Sequence, residues 1–189
     1  MLQDSIMFRD RADAGVRLAA RLAHLKDTDP VVLALPRGGV AIGFEIAKGL
    51  TAPLDIVLVR KIGVPWQPEL ALGAISDGAA PQVFIDEQMA RQLSIPEEYL
   101  REETARQLAE LERRRRLYCA DRPPVAVAGR TAIVVDDGIA TGATMRVALR
   151  AVRMRAPARL VLAAPVAAAQ TVASLAPEAD ETVCVATPT

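Results

Sequence analysis

The sequence is poor in aromatic residues, in cysteine and in net charge, and each shortage excludes a class of protein. Only 3% of the 189 residues are aromatic, and the two cysteines, Cys119 and Cys184, stand far apart. Two isolated cysteines exclude a disulfide framework, and no Cys-x-x-Cys or Cys/His cluster suggests a structural metal. The 23 basic and 23 acidic side chains balance. The composition therefore offers no basic surface for nucleic acid or for an anionic membrane.

Long apolar runs and targeting signals are lacking as well. The longest apolar stretch, Leu160 to Ala169, is interrupted by Pro165 and is far shorter than the ~20 residues that span a bilayer. The N-terminus, Met1-Leu2-Gln3-Asp4-Ser5, is polar and has no apolar core of a signal peptide. Half of the residues are hydrophobic (51%), which excludes disorder. We expect one soluble, cytoplasmic domain over residues 1–189, with neither nucleic acid nor a membrane as partner.

Short apolar runs alternate with amphipathic segments along most of the chain. Continuous apolar runs are typical of strands buried on both faces, and the segments between them have helical spacing. Helices between such strands imply right-handed crossovers and a parallel sheet. We predict an α/β fold with an open parallel sheet flanked by helices. The predicted strands are 31–35, 54–59, 132–135, 160–164 and 182–186, and the predicted helices are 8–25, 40–50, 141–154 and 168–175.

The middle of the chain breaks this alternation. Residues 62–84 contain six glycines and prolines and are predicted to form a small flexible loop or hood with one or two short strands, Ala71 to Ile75 among them. A helical segment is predicted over residues 86–118, where Ser94-Ile95-Pro96-Glu97 has the spacing of a capping box. Glutamate precedes arginine by four residues at 102/106, 110/114 and 112/116, which favours a helix.

The most informative stretch begins at Thr131 and reads Thr-Ala-Ile-Val-Val-Asp-Asp-Gly-Ile-Ala-Thr-Gly-Ala-Thr. A buried strand delivers Asp136 and Asp137 to the carboxyl edge of the sheet, and a loop of small residues leads into a helix. Ligands bind at this edge in open α/β sheets, and a helix N-terminus offers N–H groups to a phosphate. The carboxylates suit ribose hydroxyls or a hydrated cation, and the loop, with its Thr141 and Thr144 hydroxyls, suits a phosphate monoester.

Two better-known phosphate loops are excluded. A Walker A loop ends in Gly-Lys-Ser/Thr, and Gly142-Ala143-Thr144 has no lysine. The dinucleotide fingerprint needs three glycines before the helix and a later acid. The stretch resembles instead the type I phosphoribosyltransferases, whose signature is an apolar strand, two acids, three variable residues and Thr-Gly-x-Thr. A chance acidic turn at the end of a strand is the alternative.

The resemblance implies roles for these residues. In the family the two acids hold the ribose 2′- and 3′-hydroxyls of phosphoribosyl pyrophosphate, which here assigns Asp136 and Asp137. The loop that binds the 5′-phosphate corresponds to Ala140, Thr141, Gly142, Ala143 and Thr144.

A second match supports the first. The run Val31 to Leu35 followed by Pro36-Arg37-Gly38-Gly39 resembles the family's pyrophosphate loop, and the run that ends in Arg60-Lys61 resembles the next strand, whose lysine lies near the same pyrophosphate. The resemblance implies that Arg37, Gly38, Gly39 and Lys61 bind the leaving group. A plain strand-to-helix turn and a solvated strand end are the alternatives. Phe8-Arg9-Asp10-Arg11 and the Arg-rich helix extend the resemblance, to one uncharacterised branch of the family, over nearly the whole chain.

The resemblance also implies a reaction. A nucleophile, usually a ring nitrogen of a nucleobase, displaces pyrophosphate from C1 of the ribose, and Mg²⁺ is held mainly by substrate and water without direct protein ligands. Ala140 stands where the hypoxanthine-guanine branch has an acid, which argues against 6-oxopurine salvage. In the adenine branch a glutamate of the loop after the second strand approaches the base. We hypothesise that Glu69 contacts or deprotonates the nucleophile, with a surface carboxylate as the alternative.

Other functions and residues stay open at this point. A non-catalytic regulator that binds phosphoribosyl pyrophosphate, or an enzyme with a non-nucleobase acceptor, would keep the same loops. We expect a homodimer with a small-molecule acceptor as substrate. His24, the single histidine, stands on an Arg-rich helix and is predicted to be structural. Trp66 could stack on a base, although packing or an oligomer contact is the simpler interpretation.

Overall fold

The computed structural model describes residues 8–77, 81–120 and 122–188. The chain divides into two compact units, one made of Met1–Ile56 with Val127–Thr189 and the other of Val57–Ala126. That the two units together form a single domain over residues 1–189 remains a prediction. The polar N-terminus, residues 1–5, lies outside the described residues. Among the described residues, no helix is both long enough and apolar enough to cross a membrane.

The first unit alternates strands and helices. Its strands are β1 (Pro30–Ala34), β2 (Leu54–Ile56), β6 (Thr131–Val135), β7 (Arg159–Val166) and β8 (Glu181–Ala186). Its helices are α1 (Arg11–Arg21), α2 (Gly38–Leu50), α5 (Ala143–Arg153) and α6 (Ala169–Leu175), with short 3₁₀ helices at Ala23–Leu25 and Ala176–Glu178. All five strands pair in parallel in the order β2-β1-β6-β7-β8. The predicted α/β fold, an open parallel sheet flanked by helices, is confirmed.

The centre of this sheet explains the apolar runs of the sequence. All five residues of β1 and all five of β6 are buried, as expected for strands covered on both faces. On one face, Leu18 of α1 and Ile42 of α2 join Ile133 of β6 in a single apolar core. The two central strands also end together, because the Leu35 N–H donates to the Val135 carbonyl at 2.8 Å. The loops after β1 and β6 therefore begin side by side.

The second unit is an antiparallel sheet with two helices. It contains β3 (Val59–Val64), β4 (Gln67–Ser76), β5 (Gln82–Ile85), α3 (Glu87–Gln92) and α4 (Glu97–Cys119). The strands pair in the order β3-β4-β5. Val64, Leu72 and Ala90 form a small buried core, against which Leu100 of α4 packs.

The prediction of mostly loop over residues 62–84 is wrong for the described part of that segment. The predicted strand Ala71 to Ile75 is confirmed as part of β4, but β4 runs for ten residues and pairs with both β3 and β5. A Cβ on Gly73 would lie 2.4 Å from the Phe84 carbonyl oxygen, so this glycine permits close pairing of β4 with β5. Gly78, also within the predicted loop, lies outside the described residues.

Three boundaries also differ from the prediction. The apolar run 54–59, predicted as one strand, contains the whole of β2 and the first residue of β3, because the chain leaves the parallel sheet after Ile56. The predicted helical segment 86–118 is two helices, α3 and α4. The predicted capping box is absent from the described structure, since α4 begins at Glu97 with Pro96 as its N-cap and no side-chain cap. Of the predicted i,i+4 pairs, Glu110–Arg114 and Glu112–Arg116 form, whereas Arg106 pairs with Glu103.

Candidate functional site

The two adjacent carboxylates stand directly after the central strand β6. The Asp137 N–H donates to Asp136 Oδ1 at 2.8 Å, so the loop turns tightly at this point. Burial first, and then the neighbouring Asp137 side chain, raise the pKa of Asp136 to about 6, although the hydrogen bond from the Asp137 N–H opposes the shift. A carboxyl with a raised pKa at the carboxyl edge of a parallel sheet is typical of a functional site.

The loop from Gly138 to Gly142 leads from the acid pair into α5. The Ile139 N–H donates to the Val166 carbonyl at 2.9 Å, and the Thr171 hydroxyl donates to the Ala140 carbonyl at 2.7 Å. Both bonds tie the loop to the end of β7 and to α6. Gly142 stands before the first residue of α5 with a φ of +77°, a conformation that glycine adopts without strain.

Three of the predicted phosphate-binding residues are exposed at the start of α5: Thr141, Ala143 and Thr144. Within the described residues no side chain caps this helix, and its first turn has no acidic residue. Free backbone N–H groups at a helix N-terminus carry partial positive charge and attract anions. The structure thus places two hydroxyls and a helix N-terminus at the end of the loop that follows the acid pair.

A second helix begins at the same edge, directly after β1. Arg37 is exposed at the N-cap position of α2, which has no acidic residue in its first turn and, among the described residues, no side-chain cap. The peptide bond between Pro36 and Arg37 is cis. Gly38 packs against the acid pair so closely that a Cβ on it would lie 2.0 Å from Asp137 Oδ2. The structure therefore places Gly38 and Gly39 directly beside the acid pair, with Arg37 just before them.

One residue of this edge had no predicted role. Arg11, the first residue of α1, donates from Nε and Nη2 to Asp137 Oδ2 at 3.1 and 2.8 Å. The pair joins residues 126 positions apart in sequence. The sequence contained a partial signal, because Asp10 before Arg11 marks a helix start. Nothing in a local pattern, however, connects that start to an acid so distant along the chain.

The other two predicted catalytic residues lie in the second unit. Lys61 of β3 and Glu69 of β4 form an ion pair, with Lys61 Nζ 2.8 Å from Glu69 Oε2. The Glu69 side chain is 90% exposed. The hydrogen bond and the charge of Lys61 lower the pKa of Glu69, so in this pair Glu69 is a weaker base than an ordinary glutamate.

The single histidine and the single tryptophan lie apart from these groups. His24 Nε2 is 2.8 Å from Glu181 Oε1, an ion pair or hydrogen bond between the 3₁₀ helix Ala23–Leu25 and the start of β8. Trp66 is 64% exposed in the turn between β3 and β4.

A magnesium ion is compatible with these residues. Carboxylate oxygens are ligands that Mg²⁺ accepts, and the ion keeps several waters when the protein supplies few. Among the described residues, no group of three or more His, Cys, Asp or Glu side chains is placed to hold a metal ion. Asp136 and Asp137 therefore fit an ion whose remaining oxygens come from a bound ligand and from water.

Comparison with known protein families gives a match over nearly the whole chain. Residues 9–185 match the family described as "Phosphoribosyl transferase domain". Two proteins of Mycobacterium tuberculosis, from strains CDC 1551 and H37Rv, are each provisionally named a phosphoribosyl transferase and are 45% identical to this chain over 182 residues. The aligned region is 96% of this chain and 41% of each relative. The chain thus spans about two fifths of the length of these relatives.

Solved structures resemble the chain over a similar extent. The protein TT1426 from Thermus thermophilus is 44% identical with a TM-score of 0.85, and the match covers 97% of this chain and 86% of that one. A purine phosphoribosyltransferase from Pyrococcus horikoshii is 15% identical with a TM-score of 0.52, covering 94% of this chain and 84% of that one. At 15% identity the likeness concerns the fold alone.

Proposed function

The chain belongs to the phosphoribosyltransferase family, and from this premise we propose that it transfers the ribose 5-phosphate of phosphoribosyl pyrophosphate to a nucleobase-like nucleophile, releasing pyrophosphate. One observation carries the proposal: the pair Asp136–Asp137 stands at the sheet edge where α2 and α5 both begin. Two helix N-termini with carboxylates between them match a ligand that has an anion at each end and hydroxyls in the middle. Phosphoribosyl pyrophosphate is such a ligand.

The α5 end of the site suits the 5′-phosphate. Thr141 and Thr144 are exposed there and donate through their hydroxyls, and the first N–H groups of α5 add further donors. Ala140, Gly142 and Ala143 contribute backbone without bulk. Their small size lets a phosphate approach the N–H groups closely.

The α2 end of the site suits the leaving pyrophosphate. As the bond between C1 and the pyrophosphate oxygen breaks, negative charge grows on the leaving group and positive charge on the ribose ring. The Arg37 guanidinium and the Gly38 N–H, at the start of α2, would offset the negative charge. The Gly39 N–H already donates to the Leu35 carbonyl at 3.0 Å, so Gly39 would contribute by letting the ligand approach closely. Asp136 and Asp137 would accept hydrogen bonds from the ribose hydroxyls and so hold C1 in place. Mg²⁺, when bound, would neutralise charge on the pyrophosphate and ribose oxygens.

The pair in the second unit supports a linked role for Lys61 and Glu69. We propose that Lys61 binds the pyrophosphate and that Glu69 contacts or deprotonates the nucleophile. A Lys61 ammonium engaged by pyrophosphate would no longer hold Glu69. Because Lys61 is the cause that lowers the Glu69 pKa, its release would return that pKa toward the ordinary value. Glu69 would then be a better base when the substrate is bound.

A second candidate function rests on the same pair. With Ala140 in place of an acid and the pKa of Glu69 lowered, a protein that binds phosphoribosyl pyrophosphate without turning it over is the competing proposal. A non-nucleobase acceptor is a variant of the first proposal. The homodimer and the cytoplasmic location stay predictions.

The proposed reaction is tested by pyrophosphate release from phosphoribosyl pyrophosphate and Mg²⁺ across a panel of nucleobases. The double variant Asp136→Asn/Asp137→Asn should lower release at least about 100-fold, because two charged acceptors of ribose hydroxyls are lost. Asp29→Asn is the matched control. Asp29 pairs with Arg130 before β1, at the other end of the sheet, and its φ of +51° is one that asparagine tolerates.

The outcomes separate the two candidate functions. Unchanged binding and unchanged turnover in the double variant would refute the assignment of the site. If no base in the panel produces pyrophosphate release, and phosphoribosyl pyrophosphate stabilises the wild-type protein against heat but not the double variant, the non-catalytic binding protein is favoured.

Glu69→Gln tests the proposed base separately, on whichever acceptor is active. Loss of the carboxylate should lower turnover at least about tenfold and leave the affinity for phosphoribosyl pyrophosphate within about twofold. Glu87→Gln, an exposed glutamate paired with Arg91 in the same unit, is the control. Turnover equal to that of the wild type would exclude Glu69 as the base.

A further inference from the structure

Arg11 belongs to a helix whose start is defined locally. The Asp10 side chain accepts a hydrogen bond from the Asp13 N–H at 2.8 Å and so caps α1. Arg11 is consequently the first helical residue. The neighbouring arginines, Arg9 before the helix and Arg17 within it, both pair with Asp13 of α1, whereas Arg11 pairs with a residue outside this segment.

The packing of α1 against α2 determines where Arg11 lies. Gly15 of α1 approaches α2 so closely that a Cβ on it would lie 2.8 Å from the Glu45 Cβ. Leu18 and Leu22 are fully buried in the core beside Ile42 of α2. One helical turn before Gly15, about 6 Å along the axis, the chain reaches Arg11. Helix packing thus holds the start of α1 near the start of α2.

The contact itself holds one oxygen of Asp137. Both hydrogen bonds of Arg11 go to Oδ2. The whole carboxylate packs against Gly38, where a Cβ would lie 2.0 Å from Oδ2 and 2.6 Å from Oδ1. Neither of the two Arg11 hydrogen bonds goes to Oδ1, the other carboxylate oxygen of Asp137. The Arg11 side chain is 63% exposed, and an ion pair that exposed contributes little to stability. Its consequence is therefore the orientation of Asp137 and a positive charge beside the acid pair.

We propose that Arg11 is a positioning residue of the substrate site. It holds Asp137 by Oδ2 so that Oδ1 faces a ribose hydroxyl, and its charge lowers the repulsion between two carboxylates and a polyanionic ligand. The inference rests on the proposed function, because it takes phosphoribosyl pyrophosphate as the ligand. It adds a third element, α1, to a site that the motifs assign to the loops after β1 and β6.

Calorimetric titration with phosphoribosyl pyrophosphate and Mg²⁺ tests this role. Arg11→Gln should raise the Kd about tenfold, since a charge-assisted bidentate contact is lost. Arg11→Lys keeps the positive charge but loses the planar guanidinium with its several donors. The Kd of this variant should stay within about threefold of the wild-type value. Arg17→Gln is the matched control, an arginine of the same helix paired with Asp13, and should bind like the wild type.

Two further readouts distinguish positioning from a general loss of charge or of structure. In the Asp137→Asn background, Arg11→Gln should change the Kd less than about twofold, because its partner is already altered. The affinity for inorganic pyrophosphate, which has no ribose, should change less than about threefold. Equal or tighter binding by Arg11→Gln, or the same tenfold loss in the Asp137→Asn background, would overturn the inference. Absence of binding to the wild-type protein would instead refute the proposed function.

Discussion

Two carboxylates that the fold withdraws from water, Asp77 in the second unit and Asp136 in the first, have opposite surroundings. Asp77 is 5% exposed. Its Oδ2 accepts from Arg115 at 2.9 Å and its Oδ1 accepts from the Leu58 N–H at 2.7 Å. Asp136 accepts from the Asp137 N–H, and among the described residues no cation bonds to it. The first carboxylate is neutralised by a partner, and the second is not.

The difference separates a structural charge from a functional one. Buried charges are tolerated where a partner and hydrogen bonds compensate for the lost water, and Asp77 meets that condition. Asp136 retains its burial without a cation, and its pKa is raised to about 6 as a result. Natural proteins keep such uncompensated charges chiefly at sites that bind or react. The comparison thus identifies the carboxyl edge of the parallel sheet as a place where an uncompensated charge lowers the stability of the protein.

Removing the charge of Asp77 should produce the largest loss of stability. Asp77→Asn keeps an acceptor for the Leu58 N–H but removes the negative charge that faces the Arg115 guanidinium in a buried site. We expect a loss of about 3 kcal/mol in unfolding free energy, measured by chemical denaturation. Hydrogen exchange should accelerate most in peptides from the second unit, Val57–Ala126.

The control is the same substitution at Asp86, in the same unit. Asp86 caps α3 by accepting from the Met89 N–H at 2.8 Å, and asparagine caps about as well as aspartate. Asp86→Asn should therefore change stability by less than about 0.5 kcal/mol. A loss for Asp77→Asn no larger than for this control would mean that the Asp77–Arg115 pair is not structural, and the comparison would fail.

The first unit follows closely from local sequence signals. Its central strands β1 and β6 are apolar runs in the sequence, and each of their observed ends lies within one residue of the predicted end. The site loops were predictable for the same reason, because an acid pair or a glycine pair directly after a buried strand lies at the carboxyl edge.

The rest depended on contacts between residues far apart in sequence. The apolar run 54–59 is split between two strands because Leu58 is held by Asp77. The Leu58 N–H donates to Asp77 Oδ1 at 2.7 Å, and the Asp77 N–H donates to the Leu58 carbonyl at 3.0 Å. No local pattern contains that partner. The sequence indicated a strand only over Ala71 to Ile75, whereas β4 extends over Gln67–Ser76 because it pairs with β3 on one side and with β5 on the other. Arg11 was missed since the packing of α1 on α2, and not any motif, carries it to Asp137.

The smallest expected effect on stability concerns Asp136, whose negative charge destabilises the folded protein whereas that of Asp77 stabilises it. A carboxyl whose pKa is raised in the folded state contributes stability that is present below the unfolded value, 3.8, and is lost as the pH rises through about 6. At neutral pH the ionised Asp136 therefore destabilises the protein. The difference between these two pKa values corresponds to about 3 kcal/mol, which partial access of water to the carboxyl reduces to about 1 kcal/mol.

Asp136→Asn should consequently raise stability, although it removes a group of the site. Asparagine can still accept from the Asp137 N–H and carries no charge to bury. At a pH of about 7.5 the variant should melt about 2–4 °C above the wild type, while near a pH of about 4 the two should melt together because Asp136 is then protonated. Its affinity for phosphoribosyl pyrophosphate should fall about 30-fold at the higher pH.

Asp29→Asn, which replaces an exposed aspartate of the same unit, should change neither the binding nor the pH dependence of melting. A variant that is less stable than the wild type at the higher pH would show that the charge of Asp136 is compensated after all. The contrast with Asp77 would then vanish.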